Sequence, residues 1–143
     1  MKRMMLSAAV SVSALAAAEP LDALVETSNG DTAHLARVFK KPTVLFYEDR
    51  DSNRLNQHVK DALIKAGRER GLTQSVDVVA VANVAAYNWF PARNFVLAAV
   101  RDIEREVKIP IYLDFTGALG VAPWKLPTHS STVLVMSPAG EPL

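Results

Sequence analysis

The sequence predicts a single α/β domain, and two observations lead to that prediction. The chain has 143 residues, half of them apolar, which is enough for one domain with a buried core. Apolar, β-prone runs at 43–47, 76–84 and 109–115 alternate with two segments of helical periodicity, at 51–70 and 91–107. Such alternation is typical of strands joined by right-handed crossovers, with helices covering the sheet.

The first eighteen residues have the pattern of a secretory signal peptide. Lys2 and Arg3 precede an apolar run from Leu6 to Ala18 that ends in three alanines, the small residues that a signal peptidase needs. The run is too short and too rich in Ser and Ala for a comfortable membrane span, although an uncleaved anchor stays an alternative. We therefore expect a periplasmic or secreted domain over 19–143, with no membrane span after cleavage.

Composition excludes several classes of function. The chain has no cysteine, which excludes disulfides, Cys-ligated zinc and thiolate nucleophiles. Sixteen basic and 15 acidic residues give a net charge of +1, so nothing in the charge favours nucleic acid. No Gly-rich nucleotide loop is present, and we predict no cofactor.

The N-terminal half is predicted to contain a helix, a strand and a longer helix. A turn at Ser28–Asp31 precedes a short helix over Ala33–Phe39, and the strand Thr43–Tyr47 follows. Asp51 or Ser52 can cap the long helix, which ends near Arg70 with Gly71 as its stop. The residues expected to face inward are Leu35, Val38 and Phe39, and then Leu55, Val59, Ala62, Leu63 and Ala66.

The C-terminal half is predicted to contain two strands, a helix and two further strands. The strand 76–84 leads through an aromatic connector to a helix that starts at Pro91. Its inward face comprises Phe95, Val96, Ala99, Ile103 and Val107. Strands over Ile109–Phe115 and Thr132–Met136 follow. A returning strand normally follows the turn after Met136, so we expect the C-terminal end to be incomplete or unusually short.

Four segments, taken in order, resemble the thioredoxin-like superfamily in its redoxin and peroxiredoxin-like branch. Thr27–Phe46 resembles the "G…L…KP-VVL-F" pattern at the start of those domains, and Val76–Ala82 resembles their next strand. Ile109–Gly117 resembles their "P-hydrophobic-D-x-x-G" segment. Trp124–Gly140 resembles their "Y-G-V…T-hydrophobic-L-I-D…G" segment. The W-x-L-x-x-x-S-S motif at Trp124–Ser131 is similar to that of Cys-less exported thioredoxin-like proteins of bacteria. The resemblance implies a thioredoxin-like fold, with a central mixed sheet flanked by helices.

Two departures from the family pattern bear on function. Where redox-active members carry Cys-x-x-Cys or a single Cys after the first core strand, this chain has Asp51 and Arg54 at the two cysteine positions. The family's cis-proline position falls on Ser130, where a trans peptide is expected. Thiol–disulfide exchange requires a thiolate, so a redox or antioxidant role would depend on a partner thiol.

The same fold would bring residues 48–54 close to residues 126–131. The candidate binding residues are therefore Asp49, Asp51, Ser52, Arg54, Trp124, His129 and Ser130. An extended peptide can bind such a cleft by strand-like pairing. The alternative is structural: Asp51 and Ser52 cap the helix, and Arg54 pairs with a carboxylate.

Other chemistries fit less well. The stretch Asp49–Asn53 begins like a calcium loop, but Arg54 and Lys60 stand where Gly and Glu are required. A metal held by Asp49, Asp51 and His129 is a third hypothesis. A hydrolase is disfavoured because neighbouring residues of an extended chain, such as His129 and Ser130, point to opposite faces.

The function predicted is that of an exported, non-redox binding or accessory module of the cell envelope. It would hold an envelope protein, a peptide or a small ligand. The aromatic residues Trp89, Phe90 and Phe95 form either an exposed patch or, in the interpretation we favour, a packed connector.

Overall fold

The computed structural model describes residues 20–143, which form a six-stranded mixed sheet and two α-helices. The strands are β1 (Leu24–Glu26), β2 (Thr32–His34), β3 (Thr43–Glu48), β4 (Asp77–Asn83), β5 (Ile111–Asp114) and β6 (Thr132–Met136), and the helices are α1 (Gln57–Arg70) and α2 (Ala92–Val107). This arrangement confirms the predicted α/β class. The expected signal peptide lies outside the described residues. Within them, neither helix is long and apolar enough to cross a bilayer.

The order of the strands across the sheet is β2-β1-β5-β4-β3-β6. Strands β3, β4 and β5 are parallel, whereas β1 and β6 run antiparallel to their neighbours. The crossovers β3-α1-β4 and β4-α2-β5 step in the same direction, and right-handed crossovers of that kind place both helices on one face. We call this face the helix side and the opposite face the core side.

The core side carries the larger hydrophobic cluster. Leu45 and Tyr47 of β3 pack there with residues from outside the sheet, because neither α-helix of residues 20–143 lies on this face. The segments that do cover it contribute Leu35, Phe39, Leu119 and Trp124. The core side is thus closed by 3-10 turns at 35–37 and 118–120 and by the chain around Trp124.

The helix side is packed unevenly. Val100 of α2 is buried with Val84, Leu113 and Phe115, and Val96 and Leu97 pack around them. By contrast, α1 has no buried residue. Helix α1 therefore lies more exposed on the sheet than α2, although Phe46 of β3 beneath it is buried.

The predicted short helix at Ala33–Phe39 is wrong. Residues 32–34 form β2, which pairs with β1 across the predicted turn, and only 35–37 make a 3-10 turn. Hairpin pairing satisfies backbone groups that a two-turn helix would leave partly unpaired. The inward positions Leu35 and Phe39 are nevertheless buried.

The long helix begins six residues later than Asp51. Residues 51–56 form turns, and Asn56 precedes the helix without a capping side-chain hydrogen bond, so the predicted caps are wrong. Leu55, predicted to face the core, is 60% exposed. The predicted stop is confirmed, since Gly71 adopts the left-handed conformation at φ 63°.

The inward face of α2 is shifted from its predicted position. Phe95 and Ala99 are exposed, and Val100 forms the centre of the buried stripe. Trp89 and Phe90 are exposed as well, so the packed-connector interpretation is wrong for this aromatic group. Helical periodicity identifies the helix, but the sheet decides which of two adjacent apolar stripes it buries.

The segment after β6 turns back on that strand. Gly140 adopts φ 81°, Met136 pairs with Pro142 in a single antiparallel bridge, and the Leu143 amide donates to the Val135 carbonyl at 2.8 Å. The predicted strand over Thr132–Met136 is confirmed. A short returning segment therefore pairs with it.

One buried carboxylate joins β5 to the chain that follows. Asp114 accepts hydrogen bonds from the Tyr47 hydroxyl at 3.3 Å and from the amides of Ala118 and Leu119 at 3.0 and 3.1 Å.

Asp114→Ala leaves these donors without their acceptor, so we expect unfolding free energy to fall by about 3 kcal/mol in urea titrations. Asp102→Ala, at an exposed position on α2, is the control and should change stability little. Equal losses in the two variants would contradict this role.

Candidate functional site

The structure brings together the two segments that the sequence placed at one site. Asp49 directly follows β3, and its Oδ2 accepts a hydrogen bond of 2.6 Å from the His129 amide. Its Oδ1 accepts from the Asp51 amide at 3.1 Å and from the Ser52 amide at 3.0 Å. One carboxylate therefore holds both segments, 49–54 and 126–131.

Ser52 is fully buried and serves the same loop. Its Oγ donates to Asp49 Oδ1 at 2.8 Å and accepts from the Asp49 amide at 2.9 Å. The role of Ser52 is thus structural, as the alternative interpretation held, although it closes a turn and caps no helix.

A second polar network lies behind the first. Glu48, almost fully buried at the end of β3, accepts from Ser131 Oγ at 2.5 Å and from Lys60 Nζ at 2.6 Å. Asn56 Nδ2 donates to the carbonyl and the Oγ of Ser131, at 3.0 and 2.9 Å. Asn56 and Lys60 were not among the predicted site residues. Asn56 lies directly before α1 and Lys60 in its first turn, and this spacing of four, which places both side chains on one side, is the pattern that could have found them.

Four of the predicted residues lie around this network, and three of them are exposed. Asp51 and His129 are 72% and 74% exposed, and His129 Nδ1 lies 3.2 Å from Asp51 Oδ2. Arg54 is exposed and forms no ion pair among residues 20–143. Ser130 is half-buried and is preceded by a trans peptide, as expected. We call Asp51, Arg54, His129 and Ser130 the binding surface.

Trp124 is placed elsewhere. Its ring is buried in the core-side cluster, and its Nε1 donates to the Asp22 carbonyl at 3.2 Å. The expectation that Trp124 lines the cleft is therefore not met, because the apolar ring fills the core under the N-terminal segment.

The three residues of the metal hypothesis do converge. One ligand atom from each of Asp49, Asp51 and His129 lies within 4.8 Å of the others. Both oxygens of Asp49, however, already accept hydrogen bonds from protein donors. Hydrogen bonding within the protein accounts for this arrangement.

The pKa of the Asp49 carboxyl reflects its surroundings. Partial burial by itself raises this pKa, but hydrogen bonds from Ser52 and from the His129 amide favour the charged form and prevail. The pKa of Asp49 is therefore lowered from its ordinary value of 3.8. The carboxylate is charged at neutral pH, as its role as a multiple acceptor requires.

Comparison with known proteins shows the fold alone. No protein-family model matches the chain, and no curated protein matches it. A conserved protein of unknown function from Bacteroides fragilis, BF1870, is 16% identical with a TM-score of 0.60, covering 87% of this chain and 85% of its own. StoA from Bacillus subtilis is 19% identical with a TM-score of 0.53, covering 86% and 84%.

A third similar structure is named an exposed lipoprotein thioredoxin. This protein, Etrx1 from Streptococcus pneumoniae, is 13% identical with a TM-score of 0.56, covering 86% of each chain. A thiol-disulfide oxidoreductase from Bacteroides fragilis is similar at 14% identity and a TM-score of 0.55. These likenesses confirm the fold that the sequence resemblance implied.

We expect the substitution Asp49→Asn to lower the stability of the folded domain by an amount that depends on pH. An amide offers one acceptor oxygen and turns its N–H₂ group towards a backbone donor, so we expect unfolding free energy to drop by about 1–3 kcal/mol at pH 7. Because the folded-state pKa is lowered, the stabilisation is complete above 3.8 and is lost as the pH falls through the folded-state value. In urea titrations, the difference in unfolding free energy between wild type and variant should become smaller below pH 3.8.

The matched control for that experiment is Asp51→Asn, which makes the same change on an exposed neighbour. We expect little change in stability from it, because exposed ion pairs contribute little. The role given to Asp49 would be contradicted by a stability difference between wild type and Asp49→Asn that stays constant down to pH 2. It would also be contradicted by an equal loss of unfolding free energy in Asp51→Asn.

Proposed function

We propose that this domain of thioredoxin-like fold is an exported, non-redox binding module that holds a protein or peptide partner of the cell envelope. The observation that carries the proposal is the way Asp49 fixes both segments of the site without a thiol. A rigid support of this kind presents the binding surface in one arrangement, which lowers the entropy lost on binding.

The chemistry of the binding surface favours a polar partner. Arg54 offers a guanidinium, which suits carboxylates through paired hydrogen bonds, and Asp51 with His129 offers an acceptor and an ionisable ring. An extended segment of mixed charge would match these groups. Export is supported by the leader pattern of residues 1–18 and by one structural neighbour named an exposed lipoprotein.

The alternative role, thiol-redox chemistry, is suggested by the name of another neighbour, a thiol-disulfide oxidoreductase. Asp51 and Arg54 occupy the positions that the family pattern gives to cysteine, and neither side chain can attack a disulfide. Redox activity would thus require a thiol supplied by a partner.

Partner capture tests the binding surface directly. The chain from Glu19 is used as bait in cross-linking pull-downs from envelope extract, beside the triple variant Asp51→Ala, Arg54→Ala, His129→Ala. We expect a partner that the wild type retains and the variant loses, because the charged groups that recognise it are gone.

A second triple variant makes the same chemical changes on exposed positions of α1: His58→Ala, Asp61→Ala and Arg68→Ala. It should retain the partner. A partner retained by both variants would move binding elsewhere, for example to Trp89 and Phe90, and contradict the proposal. Failure of the wild type to capture any partner would contradict it as well.

The disulfide-reduction assay separates the two candidate roles. With insulin and dithiothreitol, the purified chain should give no rate above that of dithiothreitol alone, because it has no cysteine. A thioredoxin in the same assay serves as the positive control. Turnover by the purified chain would overturn the non-redox assignment.

A further inference from the structure

A long apolar groove runs between α1 and α2 on the helix side of the sheet. Its volume is about 490 Å³, within the range of small-molecule sites. It follows β4 from a polar mouth, where the parallel strands end, to an apolar far end beside Val107 and Ile109. Seven residues of strand give it a length of roughly 20 Å.

The groove exists because β4 has small side chains between the helices. Ala80 and Ala82 line its floor, with Phe46 of β3 and Ile111 of β5 on either side. Larger residues at these two positions would fill the space, since protein interiors are normally close-packed.

The walls are apolar and incompletely covered. Ile64 of α1 is 42% exposed, and Ile103 and Val107 of α2 are each 46% exposed. Exposed apolar side chains that face one another along a groove commonly mark a site for an apolar ligand.

The mouth has an excess of positive charge. Of the five charged residues that line it, Lys60 and Glu48 pair with each other, and Asp49 is engaged by protein donors. Arg50 and Arg54 remain, and no ion pair within 4.0 Å involves either of them in the described part of the chain. Arg50 lies beside the Tyr87 hydroxyl and is attracted by the Asp51 carboxylate, so Arg54 is the freer of the two. Two guanidinium groups at the end of an apolar groove suit one anionic group on an apolar chain.

We propose that this groove binds a single fatty acid, with its hydrocarbon chain over Ala80 and Ala82 and its carboxylate at Arg50 and Arg54. A peptide fits less well, because apolar walls would leave its backbone groups without partners. The site is distinct from the binding surface, with which it shares only Arg54.

Calorimetric titration of the chain from Glu19 with sodium dodecanoate, below its micellar concentration, tests the proposal. We expect one site, and binding at least about tenfold tighter than that of dodecyltrimethylammonium, which has the same chain and the opposite charge. Absence of dodecanoate binding, or equal binding of the two amphiphiles, would overturn the proposal.

Ala80→Leu places a larger side chain on the floor and should weaken dodecanoate binding at least tenfold. Ala98→Leu makes the same change at an exposed position of α2 and should leave binding unchanged. Circular dichroism shows whether each variant folds. If Ala80→Leu does not fold, Ala82→Val, a smaller filling of the same floor, replaces it. Unchanged binding in a folded groove variant would contradict the proposal.

The charge requirement is tested with the double variant Arg50→Ala, Arg54→Ala. This variant should bind dodecanoate about tenfold more weakly and should no longer prefer it to dodecyltrimethylammonium. A preference that persists would show that the carboxylate lies elsewhere. If the free protein is instead a dimer that Ala80→Leu dissociates, a second copy occupies the groove and the proposal is wrong.

The groove and the binding surface can fail separately. Ala80→Leu leaves Asp51, His129 and Ser130 in place, so it should still capture the envelope partner. Loss of fatty-acid binding with the partner retained is the result expected if both sites exist.

Discussion

Two right-handed crossovers that step the same way across the sheet determine where the rest of this molecule lies. They place α1 and α2 on one face, so the other face must be closed by irregular chain, which brings Leu119 and Trp124 over β3. They also collect the ends of three parallel strands at one edge, where backbone turns away and polar side chains can reach solvent. Asp49 stands at that edge, and its hydrogen bonds define the site.

The binding surface and the groove differ in the kind of recognition they offer. The first is a polar rim supported by the buried Glu48 and the partly buried Asp49, which act as acceptors, and the second is an apolar channel between helices. Both meet at Arg54. A partner at the rim and a fatty acid in the groove would therefore contact the same guanidinium. The other residues of each site can still be substituted without changing the other site.

Sequence reasoning predicted the elements whose stability is local or whose burial is complete. Strand β3 and the Gly71 end of α1 are examples, because a buried apolar run and a left-handed glycine can be recognised without knowledge of their partners. Strands β1 and β2 were missed because three-residue strands exist only through their pairing. Residues 51 and 52 lie in a turn before α1 because their amides donate to Asp49. The same carboxylate accepts from His129, 80 residues away along the chain, and no periodicity reveals such a contact.

The segment that turns back after β6 has a consequence for how copies of this domain meet one another. A sheet offers free hydrogen-bonding groups at its two margins, and lateral stacking of chains into fibres begins there. One margin here, β2, is only three residues long. At the other, Pro142 has no amide hydrogen to offer a neighbour, and Leu143 already occupies the carbonyl of Val135. These features shorten the stretch of strand that each margin leaves open for pairing with a second copy.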